Sequence, residues 1–286
     1  MSGWLITGAG GMLGRDLAAA LADAGEHVTA LARCDLDVTN ETRVREVVRD
    51  CRPEVVVNCA AWTAVDAAES CEAAALRVNG DGAAHVAAAC AAGGARLVHV
   101  STDYVFAGDA GVPYGEGDPA APRTAYGRTK LAGERAVLRL LPSTGYVVRT
   151  AWLFGAHGPN FVRTMIRLER ERQRPEVVDD QRGQPTWTAD VASQVIALAQ
   201  SPAPAGIYHA TSSGQTTWFG LAREIFRLLG ADQARVKPVD TARHPRPAPR
   251  PAYSVLGHAA WAQAGIAPIR RWDQALREAL PALAAR

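Results

Sequence analysis

A short apolar run, Trp4-Leu5-Ile6, ends in the turn Thr7-Gly8-Ala9-Gly10-Gly11-Met12-Leu13-Gly14, and an alanine-rich amphipathic stretch follows to about Ala24-Gly25. This junction restricts the fold more than any other part of the chain. Strand, glycine turn and helix must succeed one another within a few residues, and the spacing Gly8-x-x-Gly11-x-x-Gly14 gives each glycine a task. The first permits the tight turn, the second lets backbone approach a pyrophosphate, and the third lets helix pack on strand. The helix N-terminus then offers unpaired N–H groups and partial positive charge to phosphates. A tight turn without a ligand uses the same residues, so the flanking elements carry the weight.

Those elements repeat the pattern. His27-Val28-Thr29-Ala30-Leu31 reads as a second strand, ending at Ala32-Arg33. A carboxylate at this place takes a ribose 2′-OH, whereas an arginine accommodates a 2′-phosphate. Arg33 thus favours NADPH, with NADH possible; an ordinary exposed arginine is the alternative. Asp35-Leu36-Asp37-Val38-Thr39 leads to a helix with Val44, Val47 and Val48 on one face, which Thr39 or Asn40 can cap. The β-branched strand Val55-Val56-Val57-Asn58 runs into the small residues Cys59-Ala60-Ala61, where a flat cofactor has room. Trp62 to Glu69 turns into a helix, another spans Ala83 to Ala92, and Arg96 to Thr102 is the next strand. The order β-α-β-α-β-α-β predicts an α/β fold, a parallel sheet with right-handed crossovers.

The 286 residues, 48% of them apolar, suffice for one large α/β domain or a large and a small one. Lys and Arg number 31 against 29 Asp and Glu, a net charge of +2, which gives no reason to expect a nucleic-acid or anionic-membrane partner. No secretory signal pattern opens the sequence and no apolar run reaches the roughly 20 residues of a membrane span, so a cytoplasmic protein is expected. Five cysteines without a C-x-x-C pair read as small hydrophobes in a reducing compartment. Seven histidines lack metal-ligand spacing, and no metal is expected.

Tyr126-Gly127-Arg128-Thr129-Lys130 places a phenol and an ammonium four residues apart, on one helix face. A cation within a few ångströms makes the phenol proton easier to give. Chance produces this spacing on many solvated helices, so the pair needs a hydride carrier and a carbonyl pocket beside it.

With these stretches together, the sequence resembles the extended short-chain dehydrogenase/reductases, and within them the dTDP-4-dehydrorhamnose reductase family. The matching segments include Asn58 to Asp66, Thr102-Asp103-Tyr104-Val105-Phe106, Tyr126 to Glu134, Arg149-Thr150-Ala151-Trp152, Asp180-Gln181-Arg182-Gly183-Gln184-Pro185-Thr186 and Arg250-Pro251-Ala252-Tyr253-Ser254. The resemblance implies a Rossmann-type doubly wound parallel sheet over residues 1–155. A smaller C-terminal α/β substrate-binding domain would span 156–286, with some segments returning to the first. It implies Thr102, Tyr126 and Lys130 as catalytic: Tyr126 the acid at the C4 oxygen, Lys130 lowering its pKa and holding the nicotinamide ribose, Thr102 a second donor. Gly8, Gly11, Met12, Leu13 and Gly14 would cover the pyrophosphate, with Arg33, Asp37 and Val38 on the adenosine side. Cys59, Ala60, Ala61, Trp62, Thr63 and Ser101 would contact the middle of the cofactor. Thr102, Asp103, Tyr104, Trp152 and Arg250 would meet a dTDP-linked 4-keto-6-deoxy sugar. Trp152 as plain core and Asp103 as a turn former are the alternatives.

In the last third, a helix from about Asn160 to Arg172 carries the charge run Arg167 to Arg172, most simply a solvated face. Another helix follows Thr217-Trp218. The proline-rich basic stretch Arg243 to Pro251 must be extended. Composition alone makes it a surface linker; the resemblance puts it over the nucleotide-sugar pocket, where an arginine can pair with a diphosphate. Two departures matter. Relatives that dimerise through a metal site use clustered acids, but Ala189 stands at one such place although Asp16 is present, leaving monomer and homodimer both open. Phe106 is followed by Ala107-Gly108-Asp109 instead of the family's aspartate, in a loop expected to border the pocket. A same-fold dehydratase would need an acid after Thr102-Asp103, where Tyr104 stands. A non-catalytic nucleotide-binding subunit is the rival from another class.

Overall fold

The computed structural model describes residues 3–285. The first half alternates strictly: β1 (Gly3–Thr7), α1 (Met12–Asp23), β2 (His27–Leu31), α2 (Glu41–Cys51), β3 (Val55–Asn58), α3 (Val65–Ser70), α4 (Glu72–Leu76), α5 (Gly82–Gly93), β4 (Arg96–Thr102), α6 (Ala125–Leu140) and β5 (Gly145–Thr150). A π-helical segment, Arg77–Asp81, joins α4 to α5. The second half is more broken: β6 (Leu153–Phe154), α7 (Phe161–Arg170), β7 (Glu176–Val178), β8 (Arg182–Gly183), β9 (Thr186–Trp187), α8 (Thr188–Gln200), β10 (Gly206–His209), β11 (Thr216–Thr217), α9 (Trp218–Leu228), β12 (Lys237–Val239), α10 (Ala259–Gln263) and α11 (Trp272–Ala284).

Six strands form one parallel sheet in the order β10-β5-β4-β3-β1-β2. Alternation along the central strands feeds both faces. Trp4, Ile6, Val55 and Val57 pack with Leu13, Leu17 and Leu21 of α1 and Val191, Val195 and Leu198 of α8. Leu5 and Val56 point the other way, to Val44 and Val48 of α2, Val86 and Cys90 of α5 and Val137 of α6. The sheet is therefore doubly wound, as expected. Strand order reverses between β1 and β3, and in such sheets ligands lie beyond the carboxyl ends of the strands at that switch point.

Gly8, at the end of β1, has φ +69°, and a Cβ there would sit 2.5 Å from the Ala60 nitrogen. The glycine turn is thus pressed against the end of β3 by backbone alone. A separate core forms from Val162, Met165 and Ile166 of α7, Leu221, Ile225 and Phe226 of α9, and Trp272, Leu276 and Leu280 of α11. The short pairs β6·β9, β7·β12 and β8·β11 hold its loops. Gly206–His209, far along the chain, adds the sixth strand to the large sheet beside β5.

Local chemistry settles the ends of several elements. Asn40, not Thr39, caps α2 by accepting from the Arg43 amide at 3.1 Å. Asn160 caps α7 in the same way at 3.1 Å, so this helix starts one residue later than the sequence suggested and stops at Arg170. Its charge run is only partly a solvated face: Arg167 pairs with Glu171 at 3.0 Å in the open, while Glu169 turns to Arg235 at 3.2 Å.

Candidate active site

A cavity of about 1520 Å³ opens at the carboxyl ends of β1, β3, β4 and β5, and every site residue proposed from the sequence lies on its wall. At one end stand Gly8, Gly11, Met12, Leu13 and Gly14 with Arg33, Asp37 and Val38. The Thr39 amide and hydroxyl donate to Asp37 at 3.0 and 2.8 Å and hold its carboxyl below the usual range, so it stays ionised at neutral pH. Cys59, Ala60, Ala61, Trp62 and Thr63 form the floor. Burial pushes the Cys59 thiol up to about 12, so it is an inert neutral group.

Thr102 and Tyr126 meet at the centre. Thr124 caps α6, accepting from the Gly127 amide at 3.0 Å. A Cβ on Gly127 would lie 2.1 Å from the Tyr104 carbonyl oxygen, so only glycine lets α6 close onto the segment after β4. The adjacent Tyr126 thereby reaches Thr102, and its ring meets Tyr104 edge-on at 5.7 Å. Burial raises the Tyr126 phenol to about 12; the neighbouring Thr102 hydroxyl lowers it and Asp103 raises it. The expectation that Lys130 acidifies this phenol is not met in the arrangement seen. Lys130 Nζ turns to the Val100 carbonyl at 2.7 Å and towards His99 Nε2 at 3.4 Å. Burial brings the Lys130 ammonium down to about 8, against the pull of Glu134 and Cys59.

Asp103 opens a 3₁₀ turn over Asp103–Val105, yet it is buried and faces the cavity as well. Its carboxyl accepts from the Thr102 hydroxyl at 3.0 Å, and burial raises it to about 6 against the lowering by Ser254 and Thr102. Ser101, also on the wall, donates to Glu134, which holds Arg149 through two bonds of 2.9 and 2.6 Å; all three side chains are buried. This ion pair locks α6 to β4 and β5 behind the cavity.

Trp152 is not core. It sits half-buried on the cavity wall with φ +47°, a left-handed conformation strained for a bulky side chain, and stacks on Trp218 at 3.6 Å. The basic proline-rich stretch does cover the cavity, with His244, Arg246, Arg250 and Pro251 on its wall. Arg250 is held by Asp66 at 2.7 Å, and this pairing keeps the Asp66 carboxyl low. The loop Ala107-Gly108-Asp109 does not face the cavity; Gly108 lies behind Pro251, and Asp109 pairs with Arg123.

Sequence reading missed Trp218, whose only signal was an aromatic at a helix start. It also missed Asn79 in the π-helical segment. The Asn79 carboxamide accepts from the Trp62 amide at 2.8 Å and donates to the Trp62 carbonyl and Thr129 Oγ1, fixing the cavity floor to α6. Among the described residues no group of three or more His, Cys, Asp or Glu side chains is placed to hold a metal ion. Asp16 instead bonds Thr188 and approaches His157 at 3.6 Å.

Doubly wound sheet, glycine turn at the switch point and Thr-Tyr-Lys cluster together define an NAD(P)H-dependent oxidoreductase of the extended short-chain dehydrogenase/reductase type. Residues 2–285 match the family described as RmlD substrate binding domain, and the chain belongs to that family. It is 59% identical over 287 residues to the dTDP-4-dehydrorhamnose reductase of Streptomyces griseus, covering 99% of this chain and 94% of that protein. It is 56% identical over 280 residues to the dTDP-4-keto-6-deoxy-D-glucose reductase of Streptomyces niveus, covering 98% and 97%. A crystal structure of dTDP-4-dehydrorhamnose reductase from Bacillus anthracis in complex with NADP superposes with a TM-score of 0.94 at 38% identity, covering 98% of this chain and 99% of that one.

Proposed function

We propose that this protein reduces the C4 ketone of a dTDP-4-dehydro-6-deoxy-L-hexose with NADPH, dTDP-4-dehydrorhamnose being the first substrate to test. The observation that carries the reading is the meeting of Thr102 and Tyr126 at the sheet's carboxyl edge, on the same cavity as the glycine turn, Trp152 and Arg250. The glycine turn suits a dinucleotide, because Gly8, Gly10 and Gly11 present bare backbone to the cavity just ahead of α1. Arg33 suits a 2′-phosphate and Asp37 a ribose or adenine edge, so NADPH is preferred and NADH tolerated. Bound NADPH supplies the hydride that goes to C4.

The chain's own residues handle the oxygen. As the C4–O π electrons move onto oxygen, Tyr126 gives its phenolic proton there, and the Thr102 hydroxyl, turning its one proton from Asp103, donates a hydrogen bond to the same developing alkoxide. Lys130 returns a proton towards the Tyr126 phenolate and holds the nicotinamide ribose. Asp103, Tyr104, Trp152 and Arg250 position the nucleotide sugar, the stacked indoles offering an apolar wall. Tyr104 stands where elimination chemistry needs an acid, which speaks against a dehydratase. Residues 1–155 with the returning strand Gly206–His209 would form the cofactor domain, and most of 156–286 the substrate domain. The five free cysteines suit a reducing, cytoplasmic setting.

The test is a panel of freshly made dTDP-4-keto-6-deoxy sugars mixed with NADPH, followed by loss of nicotinamide absorbance and by product configuration at C4. Turnover of dTDP-4-dehydrorhamnose to dTDP-L-rhamnose is expected. Turnover confined to dTDP-4-keto-6-deoxy-D-glucose would move the assignment to that sugar, and none on any member would end the reductase reading.

A further inference from the structure

Three polar residues lie abreast near the carboxyl ends of the sheet's central strands. The register sets Thr7 of β1 beside Asn58 of β3, and Asn58 beside His99 of β4. All three are buried to within 1% of full enclosure, and Lys130 of α6, equally enclosed, lies beyond His99. Burying polar groups at this depth costs free energy unless each is paired, so the pattern of donors and acceptors can be worked out step by step.

The Ala60 backbone amide fixes the first step. A backbone N–H is only a donor, and it lies 3.1 Å from one terminal atom of Asn58. That atom must be Oδ1, and the Thr7 hydroxyl donates to it as well at 2.7 Å. The other terminal atom is therefore Nδ2, a donor only, and it faces His99 Nδ1 at 3.1 Å. Nδ1 must accept. A neutral imidazole that accepts at Nδ1 carries its proton on Nε2. Nε2 faces Lys130 Nζ at 3.4 Å, so the imidazole presents an N–H to the lysine. An ammonium there would oppose hydrogen to hydrogen, whereas a neutral amine offers a lone pair and keeps a proton for the Val100 carbonyl at 2.7 Å.

We propose that His99 is a positioning residue for Lys130: locked as the Nε2–H tautomer by Asn58 and the Ala60 amide, it gives the lysine a resting place as a neutral amine behind the cavity. The protonated lysine is then driven off His99 towards the cavity, where Tyr126 awaits a proton. The use of that proton rests on the reductase reading above; the resting place does not.

The charges around Lys130 leave His99 this role. Glu134, one turn along α6, favours the ammonium, but Arg149 of β5 holds it through two bonds. Cys59 at the end of β3 and Tyr126 on α6 are neutral at working pH, their protons held by burial. Burial also keeps His99 itself unprotonated, which excludes an imidazolium. The lowered Lys130 ammonium agrees with a site that makes the amine accessible from about pH 8 upward.

The sequence contains only two lysines, Lys130 and Lys237, which makes the test direct. Protein labelled with [13Cε]lysine gives two resonances, and Lys237→Arg assigns them. Lys130 should titrate near pH 8. His99→Leu removes the N–H donor at similar volume, and the Lys130 midpoint should rise by about one pH unit, a tenfold gain in proton affinity. An unchanged or lower midpoint overturns the proposal. Long-range 15N–1H correlation of the imidazoles in the unaltered protein should show His99 as Nε2–H, and an Nδ1–H tautomer overturns it even if the variant does not fold. A merely structural histidine would lower kcat without moving its pH profile; here the basic limb should move with the NMR midpoint. Both NMR measurements need no substrate, so failure of every 4-keto sugar to react would sink the reductase reading and leave this inference standing.

Discussion

Tyr126 and Arg33 allow the narrowest tests, because each is assigned a single bond or charge. Tyr126→Phe keeps the ring that meets Tyr104 edge-on and removes only the proton. Its kcat should fall by about 10²- to 10⁴-fold, the usual worth of a positioned acid, while NADPH affinity by fluorescence titration stays within about twofold. Retained activity would remove Tyr126 from the acid role. Arg33→Ala should weaken NADPH binding by about tenfold or more and leave NADH nearly unchanged, since only the former has a 2′-phosphate. Equal losses for both would make Arg33 an ordinary surface arginine. Residues of this kind were legible in the sequence because their chemistry is local: a glycine where φ is positive, an arginine at a strand end. His99 and Asn58 were not, because a polar residue late in a β-branched strand looks the same whether it faces solvent or a buried partner on the neighbouring strand. The direction of the Lys130 side chain was hidden for the same reason. Helical spacing puts Lys130 on the face of Tyr126 but does not choose between the phenol and the Val100 carbonyl.

Among the elements, the least expected is the π-helical segment Arg77–Asp81. The sequence announced α5 through its alanines and its glycine stop, but Arg77-Val78-Asn79-Gly80-Asp81-Gly82 has two glycines and little helical preference. Tertiary bonds decide its shape: widening the helix by one residue points Asn79 at both backbone groups of Trp62 and at Thr129. Asn79→Ala would leave the Trp62 amide unpaired in the cavity floor. A loss of about 1–3 kcal/mol in urea unfolding is expected, together with a raised KM for NADPH and a kcat within about threefold of the unaltered enzyme. If stability falls and KM does not move, Asn79 serves the helix and not the floor. The Glu134–Arg149 pair also escaped sequence reading, its partners lying on α6 and β5. Removing either side alone should cost about 3–5 kcal/mol, because the other charge would stay buried without its partner.

At the scale of the whole molecule, the parallel sheet followed from the order of strands and helices, since right-handed crossovers leave few alternatives. The return of Gly206–His209 to the sheet edge was harder to see, because four residues carry too little periodicity to name their neighbour. That strand nevertheless helps set the acid stability of the molecule. Burial holds His99 well below its ordinary 6.5 and brings His209 to about 3, so both stay neutral in the fold. Burial lowers His258 too. Once unfolded, these histidines take up protons as pH drops through 6.5, which favours the unfolded chain. Asp103 works in the opposite direction. Its folded value near 6 lies above the ordinary 3.8, so between these limits the fold binds the extra proton and gains stability on acidification. From pH 6.5 to 5, His209 should cost about 1.5 kcal/mol and Asp103 return about 1, and His99 and His258 add to the cost, so the fold loses stability. Lys130 is protonated in both states over this range and contributes no slope. Urea unfolding at the two pH values measures the net loss, and His209→Gln should reduce it by about 1.5 kcal/mol. Stability that is flat or rising on acidification would mean that these imidazoles are already solvated in the fold.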